Sequence, residues 1–229
     1  MNKNIKIPHH IGIILDGNRR WARANGLTTF QGHKVGYENI KEISQYFFDV
    51  GGKIMTVYAF STENWYREKK EVNYLMRLLQ KVVKEQGNVL KNKDIKLRIV
   101  GDQKRLSKGL QAEIKIAEEK TKNCQKGILN ICLNYGGREE IIFAVNSLLQ
   151  EKKKKITEVN FKSYLRLGDI PDPDLIIRTS GEQRLSGFLT WQSVYSELFF
   201  IKKHWPAFTA QDLDKVIREF NQRNRRFGG

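Results

Sequence analysis

Short apolar runs alternate along the chain with longer segments in which apolar residues recur every three or four positions. The short runs predict six strands, at 11–15, 54–60, 95–99, 128–133, 175–177 and 198–201. The longer segments predict helices near 35–50, from about 70 to 83, and at 106–117, 138–149, 161–165 and 213–220. No hairpin signal joins the strands. This alternation indicates an α/β fold, a single domain built on a mostly parallel sheet of about six strands flanked by helices.

Two features of this pattern need interpretation. The predicted helix after position 70 carries one continuous apolar stripe, and the stripe fits either the protein core or the wall of a cavity. Its members are Val72, Leu75, Met76, Leu79, Val82 and Val83. The segment from the first strand to His33 has no such spacing, and it is predicted to be a polar loop, as is 61–68.

Length and composition fit one soluble domain over 1–229. The chain has 229 residues and 40% hydrophobic content, enough for one core. No apolar run is long enough for a secretory signal or a bilayer span. The two cysteines, Cys124 and Cys132, lack metal-ligand spacing, and Cys132 lies in an apolar strand. These features predict a cytoplasmic protein.

The net charge of +16 suits three kinds of partner: nucleic acid, an anionic membrane surface or a phosphorylated substrate. The lysines cluster at 69–70 and 152–155, which is typical of solvated faces. Several arginines instead stand beside glycine, serine, threonine or asparagine, as is common in phosphate sites. These are Arg19, Arg20, Arg178 and Arg184.

Three polar clusters follow or continue predicted strands: 16–20 with His33 beyond it, 61–67, and 178–186. The carboxyl ends of parallel strands share one edge of a sheet, so these clusters are expected to converge. Together they supply guanidinium groups, hydroxyls and glycines that let backbone amides approach an anion.

This inventory suits a diphosphate held by arginines together with Mg²⁺. Asp16 is the best candidate for the acid that binds the metal, with Glu197 as a second ligand, although Glu197 alone reads as a surface or structural residue. The chain lacks the glycine-rich nucleotide motifs and the kinase signature, so ATP and dinucleotide chemistry lose their usual support.

Longer motifs carry a close resemblance to a known family. They cover 16–21, 32–33, 58–65, 134–138, 177–182, 184–186, 191–192, 195–198 and 225–228. In this order they resemble a cis-prenyltransferase of the undecaprenyl diphosphate synthase type, and the resemblance spans nearly the whole chain.

The resemblance implies a homodimeric, Mg²⁺-dependent enzyme. Such enzymes condense isopentenyl diphosphate onto an allylic diphosphate primer, usually farnesyl diphosphate, and make Z-polyprenyl diphosphates such as undecaprenyl diphosphate. It further implies an apolar product tunnel flanked by the helix that carries the stripe, a peripheral membrane contact through the lipid product, and no nucleic-acid partner.

The resemblance also assigns roles. Asp16 and Asn64 are expected to be catalytic, Asp16 and Glu197 to bind metal, and a tail at 226–228 to reach the partner subunit. Substrate binding is expected of Gly17, Asn18, Arg19, Arg20, Trp21, His33, Ser61, Thr62, Glu63, Trp65, Arg67, Arg178, Arg184, Leu185 and Ser186.

Three features of the sequence depart from the family pattern. Thr28-Thr29 replaces a common Pro-Arg pair, Gln183 a frequent histidine and Gly187 an asparagine, while Arg19 supplies an additional guanidinium. Other functions remain open: a short-chain or atypical cis-prenyl diphosphate synthase, a non-catalytic subunit of a heteromeric enzyme, or a basic nucleic-acid-binding protein. The joint presence of Asp16, Asn64 and the phosphate arginines disfavours the second, and the scarcity of aromatics interleaved with basic residues disfavours the third.

Overall fold

A computed structural model describes residues 5–223 as a single-domain α/β fold with six strands. The strands are β1 His10–Ile14, β2 Ile54–Ser61, β3 Ile95–Val100, β4 Gly127–Tyr135, β5 Leu175–Arg178 and β6 Glu197–Phe200. The helices are α1 Asn18–Ala24, α2 Thr29–Asp49, α3 Lys69–Asn92, α4 Lys108–Thr121, α5 Gly137–Gln150, α6 Glu158–Lys162 and α7 Ala210–Gln222. Short 3₁₀ helices cover Thr62–Tyr66, Gln103–Arg105 and Trp205–Ala207.

The strands form one sheet in the order β3-β4-β2-β1-β5-β6, and every neighbouring pair is parallel. β1 lies inside the sheet, with β2 on one side and β5 on the other. The chain therefore first extends the sheet in one direction and later in the other. In open parallel sheets the crevice at such a reversal, beyond the carboxyl ends of the strands, is the usual place for a ligand.

The two faces of the sheet carry separate parts of the core. Ile11 and Ile13 of β1 pack with buried residues of α2, α3, α4 and α7, whereas Ile14 packs on the other face with residues such as Cys132 and Phe188. Both faces of β1 are thus covered, which explains its unbroken apolar run.

The apolar stripe on α3 lies partly in the protein core and partly in the wall of a cavity. Val72 and Leu75 belong to the main core. Val82 and Val83 line an apolar cavity of about 220 Å³ that also contacts Ile40. The interpretations as core and as cavity wall each hold for part of the helix.

The prediction of a polar loop up to His33 was wrong, because α1 and the first turn of α2 occupy this segment. Gly17 has φ 101°, and this left-handed conformation turns the chain into α1. Thr28 caps α2 together with Gln31 in a reciprocal pair of hydrogen bonds. Thr28 therefore has a local structural role.

Most other predicted elements agree with the fold to within four residues at each end, but α2 begins at 29 instead of 35, and α3 continues to 92, beyond the predicted 83. The segment after β2 is a 3₁₀ helix, Thr62–Tyr66, in place of the predicted loop. Cys124 and Cys132 are free thiols, and Cys132 is fully buried. Within residues 5–223 no helix is long and apolar enough to cross a bilayer.

Candidate active site

A cavity of about 830 Å³ opens at the carboxyl edge of the sheet. Its wall contains the residues that follow β1, β2, β4 and β5, together with His33 from α2. Six arginines line it, and none of the described lining residues is a lysine. The arginines are Arg19, Arg20, Arg23, Arg67, Arg138 and Arg178. The large lysine content of the chain therefore lies elsewhere, and the cavity is built for planar, bidentate binding of anions.

Asp16 lies at the centre of this cavity wall, two residues after β1. Arg178 donates a hydrogen bond of 2.8 Å from Nη2 to Oδ2, and Arg20 donates one of 3.1 Å from Nη2 to Oδ1. Burial opposes the charged form, but the hydrogen bonds and charges of Arg178 and Arg20 outweigh it and hold the pKa of Asp16 below its ordinary value. Asp16 is thus an ionised acid at neutral pH.

The backbone around Asp16 is fixed by its neighbours. The Asp16 carbonyl accepts from the Thr179 hydroxyl at 2.7 Å and from the Trp205 amide at 2.9 Å. A Cβ on Gly17 would lie 2.7 Å from both Ser180 Oγ and His204 Nδ1, which also bond each other at 2.7 Å. Position 17 thus requires glycine for its conformation and for its close packing.

Arg178 connects the end of β5 to the loop that follows it. Its residue is only 5% exposed, and Nη1 donates to Ser186 Oγ at 2.8 Å and to the Arg184 carbonyl. A buried guanidinium that reaches Asp16 with one nitrogen and this loop with another fixes their relative positions.

Two further carboxylates, Glu182 and Glu71, pair with other charged groups of the site. Glu182 accepts from Arg20 at 2.8 Å and from Arg184 at 2.6 Å at the rim. Glu71 accepts from His33 at 3.1 Å and from Arg67 at 3.0 Å. Burial lowers the pKa of His33, and the charge of Glu71 only partly compensates. In this state Arg20, Arg67 and Arg184 are each paired with a protein carboxylate.

The segment after β2 supplies small polar groups. Asn64 Oδ1 accepts from the Ser61 amide at 3.3 Å, and the Thr62 hydroxyl donates to Glu63 at 3.0 Å. The bond from Ser61 caps the 3₁₀ helix, and the four consecutive residues 61–64, from the end of β2 into this helix, line the cavity.

The structure brings most of the predicted site residues to the cavity. Thirteen line it: Asp16, Gly17, Asn18, Arg19, Arg20, His33, Ser61, Thr62, Glu63, Asn64, Arg67, Arg178 and Ser186.

Five predicted residues lie outside the cavity wall. Trp65 turns away, because its Nε1 donates to Asn134 at 2.7 Å and its ring packs on Phe60. Leu185 packs against the second core cluster, Arg184 is exposed at the rim, and Trp21 is half-buried on α1. Glu197 is the fifth.

Within one chain the structure does not bring Glu197 to Asp16, and the expectation that the two acids share a metal ion stays a prediction. Glu197 begins β6 and pairs with Leu175 at the amino end of β5, whereas Asp16 lies beyond the carboxyl end of β1. Glu197 instead accepts from Arg223 at 2.8 Å. The predicted tail at 226–228 lies outside the described residues.

Comparisons with known proteins extend this picture. The prenyltransferase family model for undecaprenyl diphosphate synthases matches residues 14–228. An isoprenyl transferase of Fusobacterium nucleatum is 49% identical over 230 aligned residues, covering 100% of this chain and 98% of that protein. The chain belongs to the undecaprenyl diphosphate synthase family.

Two further relatives differ in what their names say of their substrates. The tritrans,polycis-undecaprenyl-diphosphate synthase of Methanopyrus kandleri, described as geranylgeranyl-diphosphate specific, is 43% identical and aligns with 99% of this chain and 86% of its own. The crystal structure of lavandulyl diphosphate synthase from Lavandula x intermedia with dimethylallyl diphosphate has a TM-score of 0.93 at 34% identity, covering 97% of this chain and 99% of that one. The fold is therefore shared with this prenyl diphosphate synthase over nearly the whole chain.

Sequence reasoning missed several lining residues of this prenyltransferase site. Arg138 and Glu139 follow β4, and Arg23 lies on α1. The motif at 134–138 offered a signal for Arg138, since arginine and glycine also occur together after a strand in the clusters 16–20 and 178–186. Gly137 allows close contact here, because its amide donates to the Gly187 carbonyl at 2.7 Å and a Cβ would lie 2.2 Å from Thr190 Oγ1.

The donor set fits a magnesium ion that takes few ligands from the protein. Within residues 5–223 no group of three or more histidine, cysteine or acidic side chains could hold a metal. Asp16 is an ionised carboxylate in an open cavity that Glu63 and Glu139 also line. Mg²⁺ commonly uses one or two carboxylates and fills its other positions with substrate phosphates and water.

Proposed function

We propose that this enzyme condenses isopentenyl diphosphate onto an allylic diphosphate primer and makes a Z-polyprenyl diphosphate. The observation that carries the proposal is Asp16, ionised and held between Arg20 and Arg178 in a cavity lined by six arginines. Two diphosphates bring several negative charges together, and this site offers the guanidinium groups to receive them.

The arginines act on the charge that develops during the reaction. When the allylic carbon–oxygen bond breaks, the leaving diphosphate gains negative charge, and donors already fixed around it stabilise the transition state. Arg20 and Arg178 are held in place by Asp16, and Arg67 by Glu71. Gly17, Asn18 and His33 are proposed to bind the primer's diphosphate, and Arg178, Arg184 and Ser186 that of isopentenyl diphosphate.

Two other groups complete the proposed chemistry. Asp16 would hold Mg²⁺, which supplies additional positive charge to the diphosphate oxygens when bound. Asn64 lies beside Ser61 in the cavity wall. It is proposed to assist the loss of a proton from a carbon of the new double bond.

The apolar cavity between α2 and α3 is proposed to receive the growing hydrocarbon chain. It is lined by Ile40, Val82, Val83, Leu90 and Leu97 among others. Each buried methylene contributes about 0.8 kcal/mol, so a chain leaving water has a strong drive to enter such a space. We further propose a homodimer and a peripheral membrane contact through the lipid product.

A short-chain product is the second candidate. The similarity to lavandulyl diphosphate synthase over the whole fold favours considering it. A farnesyl diphosphate primer and undecaprenyl diphosphate product remain the first choice, on the match to the family model. Chromatography of the products separates the two.

The test is incubation with radiolabelled isopentenyl diphosphate, Mg²⁺ and farnesyl, geranyl or geranylgeranyl diphosphate. The expected result is extractable labelled polyprenyl product that requires both the primer and the metal. No labelled product with any primer, from protein shown by circular dichroism to be folded, would overturn the proposal.

A further inference from the structure

Glu71 lies behind the cavity wall, in the first turn of α3. Its residue is 9% exposed, and it does not line the cavity, although its three partners do. No signal in the sequence separated it from the neighbouring charged residues at 68–71. A nearly buried carboxylate at this position can act on the three partners that line the cavity.

The three partners converge on one carboxylate from different elements. Oε1 accepts from His33 Nε2 of α2 at 3.1 Å and from Arg67 Nη1 at 3.0 Å, and Oε2 lies 3.7 Å from Arg19 Nη1 of α1. Because a carboxylate only accepts, His33 must carry a proton on Nε2. Its second nitrogen, Nδ1, is therefore the atom where any further proton would bind.

The charged groups that face His33 are Glu71, Arg67 and Arg19. Burial and the two guanidinium groups favour the neutral imidazole, while Glu71 favours the charged one. The two arginines also neutralise Glu71 in this state. A diphosphate in the cavity would draw Arg67 and Arg19 toward itself, and the charge of Glu71 would then act on His33 alone.

We propose that Glu71 is a positioning residue that couples diphosphate binding to protonation of His33. It fixes the Nε2–H tautomer, and when the anion binds, Nδ1 takes a proton from solvent to give an imidazolium held between Glu71 and the diphosphate. The inference rests on the proposed function for the identity of the anion as an allylic diphosphate.

The experiment is calorimetric titration of the full chain with inorganic diphosphate in buffers of different ionisation enthalpy at pH 7.5. The slope of the binding enthalpy against the buffer enthalpy gives the protons taken up. We expect Glu71→Gln to take up fewer protons than the unmodified protein, by a substantial fraction of one per site. Its affinity should fall about tenfold, the equivalent of one pKa unit of coupling.

Two variants make the result specific. Glu85→Gln removes the same charge from an exposed position of α3, where Glu85 faces Lys81 at 3.8 Å, and it should behave as the unmodified protein. His33→Asn keeps Glu71 but removes the titrating group, so it should lose the proton uptake that accompanies diphosphate binding. This variant tests the inference even if Glu71→Gln does not fold.

Equal proton uptake in the unmodified protein and His33→Asn would overturn the inference, as would unchanged uptake in a folded Glu71→Gln variant. Tighter diphosphate binding by Glu71→Gln would also overturn it, since Glu71 would then be a competitor for the arginines. Failure of the unmodified protein to bind diphosphate would instead count against the proposed function.

Discussion

Ion pairs differ in their surroundings at the carboxyl edge and at the amino edge of the sheet. At the carboxyl edge Asp16 pairs with Arg20 and Arg178 in the wall of an open cavity. At the amino edge Glu197 pairs with Arg223, whose guanidinium lies over the ring of Phe199 away from that cavity. Asp16 and Glu197 both adjoin a strand and both pair with arginine, so an acid–arginine pair alone does not define a functional site. What distinguishes the two pairs is the end of the strand at which each lies.

Histidines show the same contrast. His33 at the carboxyl side contacts Glu71 and lines the cavity. His10 begins β1 at the amino edge, is 1% exposed, and bonds Thr56 at 2.8 Å and the Pro171 carbonyl at 2.7 Å. His10 is thus enclosed in the fold at the amino edge, while His33 at the carboxyl edge lies where a ligand in the cavity could contact it.

The largest expected effect is on Asp16→Ala. Loss of the central acid removes the proposed metal ligand and the partner of two arginines, so turnover should fall by at least about a hundredfold. The measurement is incorporation of labelled isopentenyl diphosphate, with circular dichroism to show that the fold persists. Asp169→Asn is the control, because Asp169 pairs with Arg98 at an exposed position. Retention of most activity by Asp16→Ala would show that the central acid is misassigned.

Arg178→Lys tests whether the carboxyl edge needs a guanidinium or only a positive charge. One ammonium cannot reach Asp16 and Ser186 in the way that Nη2 and Nη1 do. We expect kcat/KM for isopentenyl diphosphate to fall by about tenfold to a hundredfold. Steady-state kinetics measure this, and a change below twofold would contradict the bidentate role.

The pH dependence of the free energy of unfolding tests whether His10 at the amino edge is buried in its neutral form. Burial lowers the pKa of His10 to about 4 from an ordinary 6.5, so the folded state favours neutral His10. Its contribution is complete above pH 6.5 and is lost as the pH falls from 6.5 through 4, by about 3 kcal/mol in the free energy of unfolding. Urea unfolding at pH 7.5 and pH 4.5 measures the loss, and His10→Asn should reduce its pH dependence. Equal pH dependence in both proteins would contradict this assignment.

The smallest effect is expected for the stability of Glu197→Gln. Within one chain Glu197 supports only a half-exposed ion pair with Arg223, so the free energy of unfolding should fall by about 0.5 kcal/mol. Urea unfolding at neutral pH checks this value. A much larger loss of turnover than of stability would show that Glu197 reaches a site in a second chain, and it would remove the contrast between the edges.

The sequence predicted the sheet and the convergence at its carboxyl edge because both follow from local pattern. Apolar runs mark buried strands, and the polar residues directly after 11–15 and 175–177 must lie where those strands end. The family motifs then supplied roles for Asp16, Asn64 and the phosphate arginines, and these roles remain predictions.

The missed features depend on contacts that sequence spacing does not encode. The helix at α1 was hidden by its exposed polar residues and by the left-handed turn at Gly17. Glu197 was assigned to the metal through the family resemblance, and a motif does not show that this acid begins β6, at the opposite end of the strands from Asp16. Glu71 was missed because only the packing of α1 and α2 on α3 brings Arg19 and His33 to it, although Arg67 lies four residues away in the chain.

The most direct test of the central claim is a crystal structure of the protein with Mg²⁺, isopentenyl diphosphate and an unreactive thiolo analogue of farnesyl diphosphate. The account predicts both diphosphates in the arginine-lined cavity at the carboxyl edge, with Asp16 beside the metal and the farnesyl chain directed toward the cavity between α2 and α3. Diphosphates bound elsewhere, or in this cavity without contact to Arg20, Arg178 or the metal at Asp16, would contradict it.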